Sequence, residues 1–164
     1  MRKTFLIGII TILLIVIVVA IIFTFVNNRS PIENFDAIKY KEYLSTLSAD
    51  ELLKEYFELQ NEKNVQKAPF LSYWYKPGVK PNFRNLKNMR LISMEEVDVL
   101  EDIYQVLLEQ NIITDKSQVK QFKVEYWVEY VLPGPQNNGE HTWQYILVYH
   151  EGQWKIYDSG EWLG

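Results

Sequence analysis

Four polar side chains on predicted strands carry chemistry from which an enzyme could be built. They are Asp158, His150, Tyr126 and Tyr145, and carboxyl, imidazole and phenol groups all transfer protons in general acid–base catalysis. Each also has a simpler structural role: Asp158 ends a predicted strand, His150 precedes a turn, and strand tyrosines usually bury the ring. No base stands beside an orienting partner in the sequence. We therefore predict no catalytic residue and name Tyr126, Tyr145 and Asp158 as candidate ligand-binding residues.

Aromatic residues make up 15% of the chain, and one group of them precedes a proline-rich loop. This group contains Phe70, Tyr73, Trp74 and Tyr75. If exposed, it could bind a glycan strand, a lipid headgroup or a partner protein; if buried, it would seal a helical layer onto a sheet. We expect burial, because large aromatics dominate cores, and keep Trp74 as a fourth candidate ligand-binding residue. Trp127 breaks the polar face of its strand, so it either packs under a helix or marks a contact surface.

The residue types exclude several classes of site. With no cysteine, the chain has no disulfide scaffold, thiol catalysis, iron–sulfur cluster or common structural zinc site. His141 and His150 are the only histidines, and no carboxylate spacing suited to zinc or copper accompanies them. The sequence also lacks a glycine motif for phosphate and a serine nucleophile elbow. We therefore predict no metal site and no cofactor.

The charge is unevenly distributed along the 164 residues. The net charge of the chain is −4, and because Arg2, Lys3 and Arg29 are the only charged side chains in residues 1–30, residues 31–164 carry −7. An acidic domain repels polyanions. A nucleic-acid partner is therefore not expected.

An uncharged apolar stretch occupies residues 5–26. A helix of that length spans roughly 33 Å, which matches the hydrocarbon core of a bilayer. A cleaved signal peptide is the alternative, but its apolar core is about 7–15 residues long and ends at small residues. Positive charge before the stretch outweighs Arg29 after it, so the N-terminus is expected in the cytoplasm. We predict a single-pass signal anchor in the cell membrane, residues 1–30, and an extracytoplasmic domain, residues 31–164.

The first half of this domain has helical patterns. Residues 30–33 combine an N-cap serine, a proline and a glutamate, and predict the start of a first helix. Residues 48–51 repeat the capping pattern before the most regular helical spacing, which predicts a helix over 49–63. A short helical turn is expected within 65–73, and a loop over 76–85.

The second half has mostly strand patterns. Residues 89–96 predict a strand and 97–110 a helix. Alternating side chains then predict strands over 119–131, 142–150 and 153–158, with a tight turn at Glu151–Gly152. Helices followed by an antiparallel meander indicate the α+β class, with helices covering one face of a twisted sheet.

Five segments carry a resemblance to a known group of proteins: residues 51–64, 85–93, 122–126, 143–148 and 152–161. Over residues 49–162 the chain resembles extracytoplasmic domains of unknown function from Gram-positive bacteria. Their fold is similar to the nuclear-transport-factor-2-like (NTF2-like), cystatin-like cone. The resemblance implies helices packed on a curved antiparallel sheet with a cavity between them, and it transfers no catalytic residue.

Three functions remain open at this point. The first is a non-enzymatic module that binds a small ligand or an envelope protein. The second is an NTF2-like enzyme, of isomerase or dehydratase type, that acts on a small apolar substrate through Asp158 or a tyrosine. The third is a subunit of a membrane assembly. An enclosed cavity that receives Asp158 or Tyr126 would favour the enzyme, whereas a filled core with Trp74 and Trp127 exposed would favour binding.

Overall fold

Three α-helices and one four-stranded sheet form the part of the chain described by the computed structural model, residues 35–162 without Pro77 and Pro135. The strands lie in the order β1-β2-β3-β4, and each pairs antiparallel with its neighbour. This arrangement confirms the α+β class and the antiparallel meander. In chain order the elements are α1 (Ala37–Ser45), α2 (Ala49–Glu62), a 3₁₀ turn (Ala68–Leu71), β1 (Leu86–Val97), α3 (Glu101–Glu109), a second 3₁₀ turn (Lys116–Gln118), β2 (Val119–Tyr130), β3 (Gly139–His150) and β4 (Gln153–Glu161).

Helix α2 begins where its capping pattern predicts. The backbone N–H of Ser48 donates to the Glu51 carboxylate at 2.8 Å, which is half of a reciprocal capping box. Lys63 ends the helix in the left-handed conformation, with φ of 56°. The prediction of a helix over 49–63 is therefore confirmed.

Helix α1 begins later than the sequence pattern suggests. Asp36 is extended, and its carboxylate accepts from the backbone N–H groups of Ile38 and Lys39 at 3.1 and 3.2 Å. An N-cap residue in this geometry starts a helix, so the helix cannot continue unbroken from before Asp36. The pattern at residues 30–33 lies outside the described residues.

Strand β1 is longer than predicted and its alternation is interrupted. The register with β2 shifts between Leu91 and Ser93, which leaves Ile92 as an extra residue that is 43% exposed. Such a β-bulge reverses which side chains face the core. Met94, rather than Ser93, is consequently the half-buried residue beyond the bulge.

Strand β4 also differs from the prediction. Glu151 and Gly152 both have positive φ, as a tight hairpin turn requires, and this confirms the predicted turn. The strand then continues to Glu161 instead of ending at Asp158. Asp158 therefore lies inside an edge strand and does not terminate it.

The sheet is covered on both faces, which corrects the expectation of a single covered face. On one face, Phe57 of α2 packs its ring 5.5 Å from that of Tyr126 and 5.8 Å from that of Tyr145. On the other face, Leu107 of α3 packs against Ile146 and Val148. Adjacent residues of a strand point to opposite faces, so β3 is buried along both of its sides at residues 145–148.

The described residues contain no helix that is both long enough and apolar enough to cross a membrane. The apolar stretch at residues 5–26, predicted as a signal anchor, lies outside the described residues.

Candidate functional site

An open groove of about 590 Å³ lies at the end of the sheet where β2 turns into β3. Its volume falls within the range of roughly 300–1,000 Å³ that is typical of small-molecule sites. We call it the hairpin groove. Its lining combines aromatic rings, amides and one carboxylate: Asn85, Tyr130, Gly134, Gln136, Asn137, His141, Trp143 and Glu161.

Asn85, just before β1, holds the β2–β3 loop, residues 131–138, in place. Its side-chain oxygen accepts from the backbone N–H of Leu132 at 2.8 Å, and its side-chain nitrogen donates to the Leu132 carbonyl at 3.0 Å. Its own carbonyl accepts from the N–H of Val131 at 2.8 Å. One asparagine thus satisfies three backbone groups of a loop that would otherwise need water or further residues.

Gln136 ties the middle of this loop to two tyrosines of β2. The hydroxyl of Tyr130 donates to its side-chain oxygen at 2.6 Å, and its side-chain nitrogen donates to the Tyr126 hydroxyl at 2.9 Å. Tyr126 is only 1% exposed, so its hydroxyl is shielded from water and accepts this bond from Gln136 beneath the loop. The groove therefore has a preorganised wall.

Two rings from β3 form the other wall. His141 and Trp143 are two residues apart, so both face the same side of the strand. The His141 ring stacks on Tyr126 with 5.7 Å between centroids, and Trp143 meets the same tyrosine edge-on at 6.2 Å. The His141 Nε2 lies 2.8 Å from the Asn137 carbonyl oxygen, which can only accept, so this nitrogen carries the proton.

Of the predicted site residues, Tyr126 and Tyr145 are brought together, but inside the core. Tyr145 is 2% exposed and shares the Phe57 ring contact with Tyr126. Burial raises the pKa of Tyr126 to about 12 and raises the pKa of Tyr145 well above its ordinary value. Both phenols stay protonated at neutral pH. Tyr126 supports the groove by holding Gln136, whereas Tyr145 does not line it.

Asp158 lies apart from the groove. It is exposed, and its carboxylate accepts from the backbone N–H of the next residue, Ser159, at 2.8 Å. It lines two hollows of about 230 and 280 Å³, both below the usual size of a small-molecule site. The structure does not bring Asp158 together with Tyr126.

Trp74 is 59% exposed, and this corrects the expectation that its aromatic group is buried. Its indole N–H donates to the Tyr157 carbonyl at 2.8 Å, and its ring lies 5.0 Å from that of Tyr73. The backbone of Tyr73 in turn donates to the Ile156 carbonyl at 2.8 Å. Trp74 therefore covers the edge of β4 and lies outside the hairpin groove.

Trp127 is 37% exposed on the face of β2 opposite to Trp143. The sequence left two roles open for it, and its exposure favours the contact surface over packing under a helix.

The sequence interpretation missed most residues of the groove. His141 was considered only as a metal ligand, and among the described residues no three acidic, histidine or cysteine side chains are placed to hold a metal ion. Two signals point to the site. The β2–β3 loop is longer than a two-residue hairpin turn, and long loops often carry function. His141 and Trp143 also share one strand face beside this loop.

A family model described as "Domain of unknown function (DUF4829)" matches residues 50–160, which is more than half of the chain. The comparison with curated proteins gives no match. The matched range extends from the first turn of α2 into β4, so it includes every lining residue of the hairpin groove except Glu161.

Proposed function

The chain belongs to a family of domains of unknown function, DUF4829, and on that premise we propose that it is a membrane-anchored, extracytoplasmic, non-enzymatic binding module. Its ligand site is the hairpin groove. The observation that carries the proposal is the preorganised lining, in which Asn85 and Gln136 hold the loop while Trp143 and His141 offer ring surface to a ligand. A site held in place before binding loses little entropy when the ligand enters.

Binding is favoured over catalysis by the position of the candidate acids and bases. The enzyme alternative, an isomerase or dehydratase of NTF2-like type, relied on Asp158 or a neighbouring tyrosine. Asp158 is exposed beside two small hollows, and the raised pKa values of Tyr126 and Tyr145 keep both phenols from acting as bases at neutral pH. The exposed indole of Trp74 agrees with a surface used for contacts.

The NTF2-like cone is the fold we propose within the α+β class. Two helices followed by a four-stranded antiparallel meander support it, as does the packing of Phe57 against the tyrosines of β2 and β3. Helix α3, which packs on the opposite face of the sheet, is an additional element between β1 and β2. We take the Gram-positive extracytoplasmic setting from the same resemblance.

Replacing Trp143 with alanine is expected to weaken ligand binding at least about tenfold, because the indole supplies the largest ring surface of the groove. The measurement uses the full chain in nonionic detergent micelles and three probes that share one phenyl ring: benzylammonium, benzyl alcohol and phenylacetate. Saturation-transfer NMR detects which of them bind and gives their affinities.

The matched control is Trp127→Ala, which removes an exposed tryptophan from the opposite face of the sheet. This variant should bind the probes as the unmodified chain does. If Trp143→Ala left every probe affinity unchanged, or if both variants lost binding equally, the hairpin groove would not be the ligand site. Far-UV circular dichroism of both variants reports whether the fold is retained.

The proposed topology places residues 31–164 outside the cell, and it is tested independently of the ligand. Protease added to intact cells should digest this domain, because in the proposed arrangement only the cytoplasmic N-terminus and residues 5–26 are protected. An epitope tag at each end, read by immunoblot, distinguishes the two sides. A C-terminal tag that survives until the cells are lysed would refute the topology.

A further inference from the structure

We propose that the hairpin groove selects ligands with a cationic ammonium group, an inference that rests on the binding function proposed above. Glu161 is the first reason. Among the described lining residues it alone has a formal charge when histidine is neutral, and it is exposed at the end of β4. No lysine or arginine of residues 35–162 lines the groove. An anionic ligand would therefore meet repulsion, and a cation would meet attraction.

Hydrogen bonding inside the groove is the second reason. The side-chain donors of Asn85, Gln136 and Tyr130 are directed at protein acceptors, and the protonated nitrogen of His141 is bonded to the Asn137 carbonyl. The other nitrogen of a neutral His141, Nδ1, is an acceptor. This nitrogen and the Glu161 carboxylate both accept hydrogen bonds, and an ammonium group supplies three donors.

The aromatic lining is the third reason. Tyr130, His141 and Trp143 present ring surface to the groove, and Trp has the strongest attraction for a cation placed over its face. The indole N–H of Trp143 and the side-chain amide of Asn137 remain to bind polar groups elsewhere on the ligand. A neutral saccharide also stacks on aromatic rings, but it gains no charge–charge attraction from the carboxylate.

The net negative charge of the domain adds a longer-range attraction for cations. Residues 31–164 carry −7, and Lys87, on the neighbouring strand, is already paired with Glu129 at 2.6 Å. This net negative charge attracts cations toward the domain and so raises their concentration near its surface. Added salt screens this attraction.

The test compares the three phenyl probes on the full chain, since they differ in charge and share the ring. Benzylammonium should bind about three- to tenfold more tightly than benzyl alcohol, and phenylacetate should bind most weakly. Glu161→Gln should remove the preference for benzylammonium and leave the affinity for benzyl alcohol unchanged. The control Glu95→Gln, an exposed carboxylate on β1, should keep the preference.

The outcomes separate this inference from the binding function itself. If benzyl alcohol or phenylacetate bound as tightly as benzylammonium and Trp143→Ala still abolished binding, the groove would be a site for neutral or anionic ligands, and the ammonium inference would be overturned. If Trp143→Ala changed no affinity, both proposals would fall. A preference for benzylammonium that persisted in Glu161→Gln would overturn the role of this carboxylate.

Discussion

Replacing Phe57 with alanine is expected to lower the free energy of unfolding by about 3–5 kcal/mol. Phe57 is 3% exposed, and its ring lies within 6 Å of three others, those of Tyr56, Tyr126 and Tyr145. Truncation removes the transfer free energy of a phenyl ring and leaves a cavity between α2 and the sheet. Tyr126 and Tyr145 are anchored on separate strands and Tyr56 on α2 itself, so they cannot move far enough to fill that cavity.

Urea denaturation of the full chain in micelles, followed by tryptophan fluorescence, measures this loss. Phe57→Leu is the matched variant; it keeps most of the volume and should lose less than about 1.5 kcal/mol. A loss below about 1 kcal/mol for Phe57→Ala would contradict the close packing of these four rings. Because Tyr126 also holds Gln136, the alanine variant should bind the groove probes more weakly even when it is folded.

Local patterns predicted the elements of the fold because each one depends on residues close together in the chain. The capping box at Ser48 and Glu51 is a contact between residues three apart, and the turn at Glu151–Gly152 needs only two adjacent residues with positive φ. Strand alternation likewise follows from the two-residue repeat of a β-strand. The folded domain keeps these local conformations because its tertiary contacts stabilise them too.

The second covered face was not predictable in the same way. Ile146 and Val148 alternate with Tyr145 and Leu147, and all four are buried. A continuous apolar run shows that both faces of a strand are covered, but it does not identify the covering element. Helix α3 takes that place because Leu107 packs there, and this is a contact across about forty residues of sequence.

The hairpin groove depends on contacts between residues that are still farther apart in the sequence. Asn85 binds Leu132 across 47 residues, and no local pattern marks an asparagine before a strand as the holder of a distant loop. The strand position of Tyr126 predicts a ligand-binding residue. Its place beneath Gln136 gives it a positioning role instead.

The exposure of Trp74 shows a different limit of prediction from sequence. Its aromatic neighbours are half-buried, as large side chains usually are, but the indole itself lies over the edge of β4 and keeps most of its surface in water. Composition favours burial of a tryptophan on average. A strand edge that needs a cover is a property of the whole sheet, and the residues near Trp74 do not report it.

Alkaline pH is expected to unfold the domain through the tyrosines that surround Phe57. Burial raises the pKa of Tyr126 to about 12 and also raises the pKa values of Tyr56 and Tyr145 above the ordinary value near 10. Between pH 10 and 12 the unfolded chain releases these protons while the folded domain retains them. The unfolded state then binds fewer protons, so stability is present in full below pH 10 and falls as the pH rises.

The expected loss is about 2–3 kcal/mol from Tyr126 alone by pH 12, with further losses from the other two tyrosines, against a typical total of about 5–15 kcal/mol. Circular dichroism and tyrosinate absorbance, recorded on one titration, should show unfolding and ionisation of these phenols together. Tyr145→Phe removes one titrating group, so its stability should fall less steeply with pH. Trp127→Ala removes no titrating group, so it should leave the slope unchanged.

The same titration decides whether these tyrosines transfer protons, as the enzyme alternative requires, or are structural. A phenol used for proton transfer would ionise near neutral pH while the domain stays folded, since catalysis needs a pKa close to the working pH. Tyrosinate that appeared below pH 9 in folded protein, and that disappeared in Tyr126→Phe or Tyr145→Phe, would support the enzyme alternative. Ionisation that occurs only with unfolding makes these tyrosines structural, and leaves Trp143, His141 and Glu161 as the groups available to a ligand.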